Sequence, residues 1–118
     1  MKIKDLNITY MGRTCSLSDV LEYNPDNISN LELKKIGAIV YINSQVNRID
    51  LDKKDMCFDL ILEYLQFNLE KSKFLLIKII SDKKMKTVPD FVKDIFELED
   101  DDEIYDLFVK FLKEKVIL

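Results

Sequence analysis

Apolar positions along this chain change period several times, and the changes mark its elements. Ile3, Leu6 and Ile8 lie in a β-prone run, and Gly12 follows where a hairpin turn needs a positive φ. Residues 3–9 and 12–16 therefore read as two antiparallel strands. In "SLSDVLEYNPD", Ser16 or Ser18 can cap a short helix that turns Val20 and Leu21 inward, and Pro25 ends it. "NISNLELKKIG" reads as a second short helix, capped by Asn27, with Ile28, Leu31 and Ile36 inward and Gly37 as its stop. "AIVYI" is β-branched and fits a strand or a buried connector.

"QVNRIDL" alternates imperfectly, and its β-branching favours a strand. Asp52 or Asp55 then caps a central helix of about residues 54–68. Residues 72–80, "SKFLLIKII", are strand-like, but a helix continuing from residue 68 competes, because neither Gly nor Pro occurs from 54 to 88. "SDKKMKTVPDF" reads as a loop and "VKDIFELEDD" as a short helix or turn. Residues 101–115 form the last helix, whose acidic start and basic end both suit the helix macrodipole.

The central helix is unusual. Cys57, Ile61, Tyr64, Leu65 and Asn68 share one side, and Phe58, Ile61, Leu62, Leu65 and Leu69 share the next. Only Asp59, Glu63, Gln66 and Glu70 make a polar stripe, so the apolar arc exceeds the ~100° of a surface helix. Either the domain covers both sides, or one side meets a partner through Tyr64 and Phe67. The last helix poses the same alternative with Ile104, Tyr105, Leu107, Phe108, Phe111 and Leu112.

A length of 118 residues fits a single domain, 1–118, with one core. The formal net charge of −4 argues against nucleic acid as the ligand, since phosphate binding needs a basic face. The basic clusters at Lys34-Lys35, Lys53-Lys54 and residues 83–86 are short and have acidic neighbours. No run approaches the ~20 apolar residues of a membrane helix. "MKIKDLNITY" lacks the apolar run of a signal peptide, and the two cysteines lack metal or redox spacing; an intracellular, reduced setting, cytoplasmic or nuclear, is expected. Abundant Lys, Ile, Asn and Asp fit an AT-rich genome such as that of a virus or protist.

The absence of histidine removes the commonest general base and metal ligand. There is no Gly-rich phosphate loop, nucleophile elbow or paired-cysteine metal motif. The run "ELEDDDE" lacks the spacing and glycine of a calcium loop and reads as an acidic helix start. No enzyme activity, cofactor or metal is expected.

Ile49-x-Leu51, a short acidic loop, and Phe58-x-x-Ile61-Leu62-x-Tyr64-Leu65 resemble the strand and helix at the centre of the BTB/POZ fold. The opening, with Leu6-Asn7-Ile8, Gly12, Leu21 and Pro25-Asp26, is similar to the potassium-channel tetramerisation branch, although Tyr10 or Met11 replaces that branch's second glycine. The end, "TVPDF" and "DDEIYDLFVKFL", resembles elongin C and Skp-type cullin adaptors. The match covers about two-thirds of the chain, and residues 68–86 fall outside it.

The resemblance implies a mixed α+β fold with a small three-stranded or mixed sheet and about five helices. It implies a non-enzymatic interaction module that oligomerises or bridges a partner to a cullin-type ubiquitin ligase. Its groove for a partner's helical segment would be lined by Tyr64, Phe67, Phe91, Tyr105, Phe108 and Phe111. The competing reading is a small acidic inhibitor or immunity-type protein of a virus or phage, which blocks a target protein.

Overall fold

A computed structural model describes residues 2–10, 13–46, 54–82, 94–95, 97–98 and 100–116. The chain opens with a 3-10 turn, Ile3–Asp5, and a hairpin of β1 (Asn7–Tyr10) and β2 (Arg13–Ser16), with Ile8 opposite Cys15 and Thr9 opposite Thr14. A second 3-10 turn, Leu17–Asp19, follows, and the Ser16 N–H donates to its Asp19 carboxylate at 3.0 Å. Four helices complete the described elements: α1 (Asn30–Val46), α2 (Lys54–Leu65), α3 (Leu69–Asp82) and α4 (Asp101–Lys115). The result is a small mixed α+β domain. The described sheet has two strands; of the strand expected at 45–51, residues 45–46 end α1 and the rest lie outside the described residues.

Helix α1 corrects three expectations. Its cap is Ser29, whose Oγ accepts the Glu32 N–H at 3.1 Å, rather than Asn27. Leu31 faces outward, 54% exposed, and Leu33 packs inward in its place. The helix also does not stop at Gly37; "AIVYI" is helical and buried. The reason is close packing. A Cβ on Gly37 would lie 2.9 Å from the Phe108 carbonyl carbon and oxygen, so α1 and α4 meet backbone to backbone. Here glycine serves contact rather than termination.

Residues 72–80 belong to α3, so the strand reading of that run is overturned. Leu69, Ser72 and Leu76, spaced i, i+3 and i+7, face the core, and this helical period outweighs the β-branching of the run. Helix α4 begins and ends where its charges place it, and the Asp100 carboxylate accepts the Asp102 N–H at 2.9 Å.

The core lies between α1, α2 and α4. Ile36, Ile39 and Ile42 of α1 meet Leu60, Ile61 and Tyr64 of α2 and Ile104, Phe108 and Leu112 of α4. The hairpin closes one end through Ile8 and Leu17. Asn43 of α1 imitates a strand there: its amide donates to the Thr9 carbonyl and accepts the Thr9 N–H at 3.3 Å. The edge of β1 is thereby paired.

Candidate functional site

The expected groove residues converge, but on the inside. Tyr64, Tyr105 and Phe108 are all at most 2% exposed. Phe108 meets Tyr64 edge-on at a centroid distance of 5.0 Å, and Tyr105 meets Phe108 edge-on at 5.8 Å. Tyr41 of α1 joins them, 5.0 Å from both Phe108 and Phe111. Edge-to-face stacking of this kind adds about 0.5–1.5 kcal/mol per pair beyond area burial. These rings fasten three helices together, and the surface-groove placement expected of Tyr64, Tyr105 and Phe108 is corrected accordingly. Phe67 and Phe111 are half-buried at the margins of the cluster; Phe91 lies outside the described residues.

Tyr41 had no place in the expected site, because "AIVYI" reads as a strand or a buried connector. Its helical spacing to Gly37 and Ser44 was the available signal. Burial and the nearby Asp94 charge push its hydroxyl up to about 12. Tyr64 is also pushed up, chiefly by burial, and its hydroxyl has no hydrogen-bond partner. The Tyr105 hydroxyl donates to the Tyr64 carbonyl at 2.6 Å, which ties α4 to the last turn of α2. Buried, neutral phenols packed edge to face have no access to a substrate.

Helix α2 ends in a tight reversal. The Asn68 N–H reaches the Glu63 carbonyl at 2.9 Å and the Phe67 N–H the Tyr64 carbonyl at 3.1 Å, the bond pattern of a Schellman turn. Phe67 occupies the left-handed position, φ 57°, where glycine is usual. Its ring packs 4.7 Å from Tyr105, and the Lys35 ammonium lies 5.8 Å from its centroid. Asn68 then caps α3 by accepting the Lys71 N–H at 3.2 Å, and Lys71 pairs with Glu63 at 3.2 Å across the reversal.

Surface chemistry lies on the far side of this reversal. With Leu69, Ser72 and Leu76 of α3 turned inward, Phe74 and Ile77 face out, 63% and 51% exposed. They sit three residues apart on one helical face, and Leu62 of α2 is also exposed, at 39%. A run apolar on both faces, "FLLIKII", was the signal for this surface in the sequence. An open cleft of about 470 Å³ lies elsewhere, floored by Ile3, Tyr23, Ile28 and Leu33 and rimmed by Lys2 and Lys4. Among the described residues no group of His, Cys, Asp or Glu is arranged to hold a metal ion, and no helix is long and apolar enough to cross a membrane.

No family model, no curated protein and no solved structure matches the chain.

Proposed function

We propose that this chain is a non-enzymatic protein–protein interaction module. The observation that carries the reading is the outward pair Phe74 and Ile77 on α3, whose opposite face is buried in the domain. A helix that is apolar on two sides holds its fold with one and offers the other. The aromatic surplus that first suggested a groove supports the reading differently, by making a rigid three-helix body on which α3 is mounted.

The finer reading, a BTB/elongin C-like adaptor that joins a partner to itself or to a cullin-type scaffold, rests on the sequence resemblance. It carries a direct test: titration of the purified chain with a cullin N-terminal domain by calorimetry. Saturable binding supports the adaptor role, and no heat at high concentration removes it.

The interaction reading is tested separately with Phe74→Ala/Ile77→Ala. The double variant keeps its helical circular dichroism and loses proteins that the native chain retains from extract. Retention of the same proteins at the same strength by both chains refutes the α3 surface. Binding carried by this face also stays nearly level as salt rises, whereas an acidic inhibitor loses affinity steeply.

A further inference from the structure

The reversal between α2 and α3 opposes its own sequence. Neither Gly nor Pro occurs from residue 54 to 88, and Leu62 to Glu70 contains mostly good helix formers. Local preference therefore favours one continuous helix. The break falls on Phe67, the one non-glycine residue of positive φ among the described residues. Asn68, which tolerates that conformation far better than an aromatic residue, stands next to it and caps α3 instead. The bend is closed locally by the Asn68–Glu63 and Phe67–Tyr64 backbone hydrogen bonds, the Asn68 cap and the Lys71–Glu63 ion pair, and two distant contacts brace it: the Phe67 ring on Tyr105 and Lys35 over Phe67.

Two further observations point to the same place. Among the described residues, the buried side-chain polar atoms that lack a partner, Glu63 Oε2 and the Tyr64 hydroxyl, both belong to the last turn before the reversal. Helix α3 packs chiefly on α2, while α4 packs chiefly on α1.

We propose that Gln66-Phe67-Asn68 is a hinge, and that it straightens to give a single helix over residues 54–82 while α3 and the chain beyond it exchange with a second copy. In the exchanged dimer α3 of one copy lies on α2 of the other, and α4 on its α1. Every contact between the described helices is kept except those made by the turn itself. Each copy exchanges the Phe67–Tyr105 and Lys35–Phe67 contacts for relief of the left-handed residue and continued helical hydrogen bonds. The balance shifts toward the dimer with protein concentration.

Two substitutions isolate the backbone contribution. Phe67→Ala and Phe67→Gly both remove the ring, but alanine resists the left-handed turn and favours helix, whereas glycine does the reverse. The two effects together are about thirtyfold per hinge, and about a thousandfold in the dimer dissociation constant because a dimer straightens two. Each full-length variant is refolded from urea at high concentration and its mass is measured by light scattering after size exclusion. Spin labels at the exposed positions Asp59 and Lys78 report the intrachain distance, with labelled chains diluted into unlabelled ones. A straight helix sets these positions about 28 Å apart, and the bent form brings them much closer. The expected result is a Phe67→Ala dimer with the long distance and a Phe67→Gly monomer with the short one. Equal behaviour of the two variants, or a dimer that keeps the short distance, overturns the hinge. Asn68→Ala keeps the ring and removes the α3 cap; it too must raise the dimer fraction, and a bent monomer at every concentration refutes the proposal.

Discussion

Replacing Gly37 by alanine sets two effects of opposite sign against each other. In the interior of an exposed helix the change stabilises by about 1 kcal/mol, because glycine forms helix poorly. In α1 the new methyl would lie 2.9 Å from the carbonyl carbon and oxygen of Phe108 and 3.1 Å from the Val109 nitrogen. Ordinary contact begins near 3.4 Å, so one backbone must retreat by roughly half an ångström. Neither is free to retreat alone, since Ile104, Phe108 and Leu112 anchor α4 and Ile36, Ile39 and Ile42 anchor α1. A gap of that size forfeits roughly a quarter of the dispersion well for each contact across the seam.

Overpacking of well-packed cores costs about 1–3 kcal/mol, and a clash between two backbones belongs at the upper end. Setting about 3 kcal/mol against about 1 leaves a net loss of about 2 kcal/mol. For a chain of 118 residues this lowers Tm by about 8 °C. Urea unfolding followed by far-ultraviolet circular dichroism reads the change as a lower midpoint at constant slope. A Gly37→Ala protein as stable as the parent, or more so, refutes the backbone contact between α1 and α4.

Other substitutions test the aromatic cluster. Tyr64→Phe removes a buried hydroxyl without a partner and raises stability by about 1 kcal/mol, whereas Tyr105→Phe removes the 2.6 Å bond to the Tyr64 carbonyl and lowers it by about 1 kcal/mol. Their urea midpoints must therefore move in opposite directions, and a shared direction rejects the hydrogen-bond assignment. High pH tests Tyr41: its hydroxyl titrates at about 12 in the fold against 10.0 in the unfolded chain, so above pH 10 the folded state holds the extra proton and stability falls as pH rises. Below that pH the group contributes nothing to the slope, and Tyr41→Phe must show a shallower alkaline loss than the parent in urea midpoints.

Where local chemistry decides, this sequence was readable. Helix α4 runs from Asp101 to Lys115 as its charge pattern and the aspartate before it dictate, and the expected hairpin pairs Asn7–Tyr10 with Arg13–Ser16. Where distant contacts decide, it was not. Gly37 has the composition of a stop, and only the approach of Phe108 makes it a crossing point. The end of α2 near residue 68 was legible, but the left-handed turn at Phe67 was not: an aromatic residue carries no mark of it, and its ring packs on Tyr105, 38 positions later. The apolar excess of α2 and α4 was plain, but periodicity cannot say whether an aromatic face meets the chain's own helices or another protein. The strand-like run at 72–80 concealed the helix whose outer face carries the proposed function.

The size of that outer face limits what it can do alone. Full burial of a large apolar side chain contributes about 1.5–3 kcal/mol, and Phe74 and Ile77 still have 63% and 51% of their surface to bury. A partner covering both gains about 2.5 kcal/mol, whereas micromolar affinity requires about 8. The α3 pair is therefore an anchor within a wider contact, whose remainder comes from the polar residues around it and from neighbours such as Leu62. This fixes the magnitude expected of Phe74→Ala/Ile77→Ala: once a partner is in hand, its dissociation constant rises by about fifty- to a hundredfold. Titration of parent and variant with the same partner measures it. A change below about threefold places the contact elsewhere on the domain, and the tenfold steps between these limits are readily resolved.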